Sequence, residues 1–290
     1  MTFDIFLFQL LNGLVSSMLL FIMAAGLSLI FGQMDVVNLM HGSFYLLGGY
    51  LGLLTVRLSA NFWLALLVAP LLVAALGLAL EWGFLRRLYG RHRHLNQVLF
   101  TFGISLIAAD LMRWQWGTYV ETISPPDILS GKIPFFGFQF PVYRLALIGF
   151  GLLLALGMWL LLERTQLGAI VRAGVTDVQM VSALGINIHW IFAGVFAVGA
   201  GLAALAGVLG APILNLHTGL DSEILILAMV VVVIGGLGSL QGAFWGSLLI
   251  GMVDTFGKAL LPEFALFFIF MMMAVVLLFR PSGLVGIKVT

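Results

Sequence analysis

Long apolar runs, separated by short polar or glycine-rich stretches, dominate the chain. They lie near 5–31, 36–56, 61–85, 95–112, 143–162, 188–211, 222–236, 242–258 and 263–280. A helix needs roughly 20 apolar residues to cross a bilayer, so the pattern predicts about nine membrane helices, within a range of roughly eight to ten. The second, seventh and eighth runs are short or interrupted by glycine, and each is a candidate half-helix. Lipid tolerates such a break only where neighbouring protein or a cavity satisfies the freed backbone groups. The expected fold is all-α: one polytopic transmembrane domain over 1–290, with some helices broken by glycine.

The polar stretches orient these helices. Arg86, Arg87, Arg91 and Arg93 form the densest positive cluster, which belongs on the cytoplasmic side. Counting spans from there puts Arg164, Arg172, Arg280 and Lys288 on the same side, with the N-terminus outside and the C-terminus in the cytoplasm. Arg57, Arg113, Lys132, Arg144 and Lys258 then fall on outside loops and helix ends. The longest outside loop, about 113–142, opens with Trp114, Trp116 and Tyr119, which read as an interfacial aromatic belt. Its four prolines exclude continuous helix, and Ile133 to Phe140, centred on Gly137, predicts a small hairpin. One internal echo is visible: His41-Gly42-Ser43-Phe44-Tyr45 against Gln241-Gly242-Ala243-Phe244-Trp245. Either it is chance or it marks two structural repeats, whose interface is where transporters often place their sites.

Composition removes the alternatives to a membrane protein. Of the 290 residues, 62% are hydrophobic and 9% charged. A soluble domain is about a quarter charged, and this chain could not cover its outside in water. A net charge of +1 and the lack of any basic tract give no footprint for nucleic acid. With no cysteine, disulfides and thiolate metal sites are excluded. The first ten residues carry Asp4 and no Lys or Arg, so the first apolar run is expected to stay as a membrane helix.

Enzyme motifs are missing. The Gly-Lys pairs, Gly131-Lys132 and Gly257-Lys258, continue with Ile133 and Ala259, so neither is a Walker A loop. There is no zinc-binding His-Glu-x-x-His helix and no Gly-x-Ser-x-Gly elbow, and neither a cofactor nor a metal is expected. His92 and His94 flank Arg93 and read as solvated loop residues; His217 and Asp221 read as loop hydrogen-bonding groups. Asp110 with Arg113, and Asp254 with Lys258, are helix-spaced structural pairs.

Three patterns remain. Gly238, Gly242 and Gly246 recur every fourth residue, and Ala193, Ala197 and Gly201 do the same, with Ala206 and Gly210 beyond. Such stripes allow close helix packing or a close mobile contact beside a path. Gln33, Asp35, Asn38 and His41 cluster where the second run begins. Polar groups at membrane depth face protein or water, so the cluster is either a network bracing a broken helix or a pore lining. Finally, the stretch Glu163 to Asn187 is too polar to span. Val171, Val175, Val178 and Ser182, with Leu184 nearby, predict a short amphipathic helix ended by Gly185. It rests either on lipid or on a partner.

Several of these stretches together resemble one family. Asn38-Leu39-Met40-His41-Gly42 is similar to the Asn-x-x-His-Gly signature of permease subunits of branched-chain amino acid ABC importers, and by length the chain resembles the shorter of the two paired permeases. Leu167-Gly168 through Arg172-Ala173, Asp177 and Leu184-Gly185-Ile186-Asn187 resembles the family's cytoplasmic loop. Gly235-Gly236-Leu237-Gly238-Ser239 with Gly242 and Gly246 resembles its glycine-rich late segment, and Arg280-Pro281-Ser282-Gly283-Leu284-Val285-Gly286 its C-terminal ending. The chain departs from the family at Ser43, often acidic there, and at Leu39-Met40, more often Phe-Ala.

The resemblance implies a transport subunit, not an enzyme, within a larger assembly. The implied partners are two ATP-binding subunits, a second permease (a paralogue or a second copy) and an extracytoplasmic solute-binding protein, in a bacterial cytoplasmic membrane. Relatives import branched-chain and other amino acids, amides and urea, so the solute stays open. The path is expected at Asn38, His41, Gly42, Gly238 and Gly242, and coupling to an ATPase at Gly168, Arg172, Ala173, Asp177 and Gly185 within 163–187. The alternative is a stand-alone secondary transporter or channel, with Asp35, Asp110 or Asp254 as its coupling carboxylate.

Overall fold

The computed structural model describes residues 3–34, 38–88, 94–135, 137–176 and 178–285. Every apolar run named above forms a helix. The first five are α1 (Phe3–Met34), α2 (His41–Ser59), α3 (Phe62–Gly83), α4 (His94–Trp116) and α5 (Val142–Arg164). Two short helices, α6 (Gln166–Thr176) and α7 (Val178–Ala183), lead to α8 (Ile188–Leu214). α9 (Leu220–Gly235), α10 (Leu240–Leu260) and α11 (Ala265–Phe279) complete the chain. Among the described residues, α1, α3, α4, α5, α8 and the segment Pro262–Phe279 are each long and apolar enough to cross a membrane. α9 and α10 pass that test as a pair, bent by 119° at the break between them. The chain is therefore an all-α, multi-pass membrane protein.

Burial ranks the helices. In α1 and α8, 78% and 61% of the most apolar window is buried, against 11–22% for α3, α4, α5 and the α11 span. A helix apolar all round and buried is a core element, whereas the others turn one face to lipid. α1 and α8 meet at Gly26 and Gly199, where a Cβ on Gly26 would lie 2.7 Å from the Gly199 carbonyl oxygen. Small residues at a crossing let two backbones approach this closely, which replaces the hydrophobic driving force that lipid removes. α2 packs in the groove beside α8, with Gly48 over Ala204.

Contacts define the two ends of the bundle. At one end Gly137 lies against Asp4, Phe6 against Phe256, and Arg57 pairs with Glu121 at 2.5 Å. Glu121 also forms a backbone bridge with Leu216. At the other end Gly32 meets Gly238, Gly283 meets Gly236, and Gly174 meets Ile188. The predicted hairpin is present at the first end as β1 (Lys132–Phe135) and β2 (Phe138–Pro141), with Lys132 opposite Pro141 and Gly137 at φ 88°. The aromatic belt is split. Trp114 and Tyr119 are 83% and 79% exposed, but Trp116 turns inward and stacks on Tyr50 at 4.7 Å. Arg86 and Arg87 lie in a 3-10 turn, Leu85–Leu88. Asp35, Arg91, His92, Arg93, Asp177 and Lys288 fall outside the described residues, as do the side chains of Gln33, Val175 and Val178.

Candidate functional site

α2 does not begin at the end of the bundle. Its first residue, His41, donates from Nε2 to the Met23 carbonyl oxygen of α1 at 3.0 Å. Met23 lies about eleven residues, or ~16 Å of helix, from the α1 terminus at Met34. The Leu39 backbone N–H donates to Thr101 Oγ1 of α4, about two turns inside that helix. The chain thus leaves α1 and returns to start α2 well inside the bundle. The sequence cluster Gln33, Asp35, Asn38 and His41, expected either to brace a broken helix or to line a pore, falls at this break, with Asp35 and the Gln33 side chain outside the described residues.

The residues at this start are polar and sealed. Asn38, His41 and Ser43 are at most 2% exposed. Asn38 Oδ1 accepts the Met40 N–H at 3.1 Å, which bends the chain into the helix. Among the described residues, Asn38 Nδ2, His41 Nδ1 and Ser43 Oγ have no hydrogen-bond partner. Because the Met23 carbonyl only accepts, His41 Nε2 carries the proton and Nδ1 presents a lone pair. The cluster therefore offers an amide donor, a hydroxyl and an imidazole acceptor, none of them used. A buried polar group without a partner costs about 1–3 kcal/mol, so these three mark a place where stability gives way to another requirement.

α9 closes this place from the side. Gly42 packs on the Asp221 backbone, and a Cβ there would overlap the Asp221 carbonyl oxygen. At its other end α9 stops because Gly236 and Gly238 take positive φ, 105° and 78°. α10 then starts at a Ser239 cap, whose Oγ accepts the Gly242 N–H at 2.9 Å. Gly242 lies on the Gly235 backbone. The two glycines of the internal echo, Gly42 and Gly242, thus hold the two ends of α9. The sixteen residues of α9 span ~24 Å, and the 119° bend turns α10 back on it.

One sequence expectation changes here. Gly238 does not continue a stripe on α10; it sits in the turn against Gly32 of α1, because positive φ ends the helix before it. Gly242 and Gly246 do form a stripe, and it is filled by the α9 backbone at Gly235 and Val231. These glycines brace the α9–α10 break. The α8 small residues likewise pack on neighbours, Gly201 near Ala74 of α3 and Gly210 on the Tyr45 hydroxyl.

Other candidates resolve as pairs. Asp254 meets Lys258 at 2.7 Å and Asp110 meets Arg113 at 3.6 Å, as their spacing predicts. His217 does not face Asp221; its Nε2 lies 3.8 Å from Glu223, and Asp221 stands in the first turn of α9. Ser28, Ser43, Glu81 and Asp221 are buried polar residues that the sequence analysis passed over as site residues. Glu81 is fully buried in α3, and a lone acid inside an apolar run was its signal.

Within the stretch 163–187 the described residues are helical over α6 and α7, and Asp177 between them lies outside the described residues. Gly168 packs on the Leu162 carbonyl at the end of α5, and Gly174 on Ile188. Val181 is 3% exposed. The inward face thus runs through Gly168, Gly174 and Val181, whereas Ser182 is exposed and Leu184 is 71% exposed. Val171, partly buried against the core, shares this face through its i,i+3 spacing with Gly168 and Gly174. Arg172 donates to the Leu162 carbonyl and lies 3.5 Å from Glu163, so it caps the C-terminus of α5. Ala173 is exposed, and Gly185 ends the segment at φ 81°.

A family model described as branched-chain amino acid transport system, permease component, matches residues 9–277. The chain is 30% identical to the high-affinity branched-chain amino acid transport system permease protein BraD of Pseudomonas aeruginosa, over 97% of this chain and 96% of that one. It is 26% identical to the corresponding permease protein LivH of Escherichia coli K12, over the same shares. Among solved structures, PsaBC from Streptococcus pneumoniae in complex with Fab shares the fold, with a TM-score of 0.51 and 15% identity over 96% of this chain and 91% of that one.

Proposed function

The chain belongs to the family of branched-chain amino acid transport system permease components, and from that membership we propose that it forms half of the path of an ATP-driven importer. The solute is a branched-chain or related amino acid, with amides and urea as the wider class. The observation that carries this reading is the start of α2 beside Met23, deep in the bundle, with three buried polar groups unpartnered. A broken helix at membrane depth is tolerated where it lines a route for a polar solute.

A second permease, two ATP-binding subunits and an external binding protein complete the machine. The end of the bundle bearing β1 and β2 faces outward, toward the binding protein. The opposite end, bearing α6 and α7, faces the ATPases in the cytoplasm. Ala173, with the exposed apolar side chains of Leu167, Met180 and Leu184 around it on α6, α7 and the turn after them, supports docking into an ATPase groove. Gly168 and Arg172 tie that surface to the end of α5, which gives movement of the ATPases a rigid handle on the bundle.

The test is uptake of radiolabelled leucine, isoleucine and valine by host cells with and without this chain. Loss of concentrative, ATP-dependent uptake on deletion, restored by the gene, is expected. Uptake that persists without ATP but collapses with the ion gradient would replace this reading with an ion-coupled transporter.

A further inference from the structure

α10 turns its small residues inward. Gly242 and Gly246 lie on the α9 backbone, and Gly251 lies on Ser17 of α1. Its outer face carries large side chains, with Trp245 at 54% exposure among them. Helices associate in lipid through small residues that let backbones approach, so this face is not shaped for a second helix. It is grooved instead. On one side of Trp245 a cavity of about 290 Å³ lies between α10, α1 and α5, with Phe21, Leu156 and Trp159 in its wall. On the other side a cavity of about 560 Å³ lies between α10 and the chain after α11, with Leu248, Met252 and Leu284 in its wall. Trp245 lines both.

Each groove has an arginine beside it, at the end of the bundle bearing α6 and α7. The Arg164 guanidinium lies over the Trp159 ring, 5.5 Å from its centroid. Arg280 donates from Nη1 to the Leu284 carbonyl oxygen at 3.1 Å. Both arginines are exposed, and among the described residues neither pairs with a carboxylate. Glu163, next to Arg164 in the chain, lies 3.5 Å from Arg172 instead. Apolar grooves between membrane helices, with basic side chains at the rim, complement a lipid whose head group is negative.

We propose that this face of α10 is a binding site for an anionic diacyl phospholipid. Its acyl chains lie in the grooves on either side of Trp245. Arg164, which makes no hydrogen bond among the described residues, receives the phosphate on its planar fork of N–H donors. Arg280 spends one nitrogen on the Leu284 carbonyl and adds positive charge at the rim of the second groove. A zwitterionic phospholipid fits the same grooves, but its ammonium offsets the attraction to the arginines. Leu284 and Val285 donate to the Ile234 and Gly235 carbonyls at the end of α9, so a lipid in the second groove bears on the α9–α10 break. The site depends on neither the solute carried nor which way the bundle faces.

The transporter is purified from its host through a tag on this chain and stripped of lipid in detergent. It is titrated with palmitoyl-oleoyl phosphatidylglycerol or the matching phosphatidylethanolamine, and bound lipid is counted by native mass spectrometry. Arg164→Gln is expected to weaken phosphatidylglycerol about fivefold and Arg280→Gln about two- to threefold, with phosphatidylethanolamine unchanged. Arg86→Gln, in the turn after α3, is the control and should leave both lipids unchanged. Photocrosslinking in the host membrane locates the contact: Trp245→p-benzoylphenylalanine should give an adduct of this chain with phospholipid. Phosphatidylglycerol binding that is the same in the native, Arg164→Gln and Arg280→Gln proteins overturns the site. So does a loss of both lipids alike in the arginine variants. A crosslink from position 245 to a second permease in place of lipid also overturns it and makes this face a subunit interface.

Discussion

The contact between α2 and α9 can be probed by a single methyl group. In Gly42→Ala the new Cβ overlaps the Asp221 carbonyl oxygen and lies 2.9 Å from Leu225 Cβ. Ordinary carbon contacts are about 3.5–4.0 Å, so the first turn of α9 must retreat by roughly 1 Å. The obstacle is backbone in a helix, not the end of a flexible side chain, so the overlap is not relieved by a rotamer change. Overpacking of this kind costs ~1–3 kcal/mol, against less than ~1 kcal/mol of helix propensity gained over glycine. Gly103→Ala on α4 is the matched control, because nothing lies within 4 Å of its Cβ position; it gains the propensity without the overlap. The propensity gain is common to both, so the two variants should differ by about 1–3 kcal/mol. At ~2–4 °C per kcal/mol for a domain near this size, that is ~2–12 °C in melting temperature. Thermal unfolding of the purified transporter in one detergent, each variant beside the native protein, is the assay. A Gly42→Ala protein that melts with or above Gly103→Ala would refute the packing of α9 on α2.

Two more outcomes test the ends of the bundle. With no native cysteine, Lys132→Cys and Arg172→Cys give clean probes: an impermeant thiol reagent on intact cells should label position 132 and not 172, and the reverse pattern would invert the orientation. Ala173→Trp should leave the permease folded in the membrane but abolish leucine-stimulated ATP hydrolysis or release the ATPase on purification. Unchanged uptake and copurification would move coupling to another loop, such as the one at Arg86.

The helices were legible in the sequence because lipid makes the requirement local: each span must satisfy its own backbone and present apolar residues, so length and composition mark it. The hairpin was legible for a similar reason, since Gly137 and the surrounding prolines restrict the backbone within a few residues. The polar residues at Asn38 and His41 were visible as an anomaly in an apolar run. That Met23 accepts from His41, that α2 starts deep, and that Asp221 comes to its side are decided by packing among α1, α2 and α9. The same holds for Arg172, which the end of α5 captures, and for Gly238, taken out of its stripe by positive φ. Periodicity records which face of a helix is apolar and says nothing of where along a neighbour that helix begins. Depth in the bundle, and therefore the meeting of the two helix starts, is a property of the tertiary structure alone.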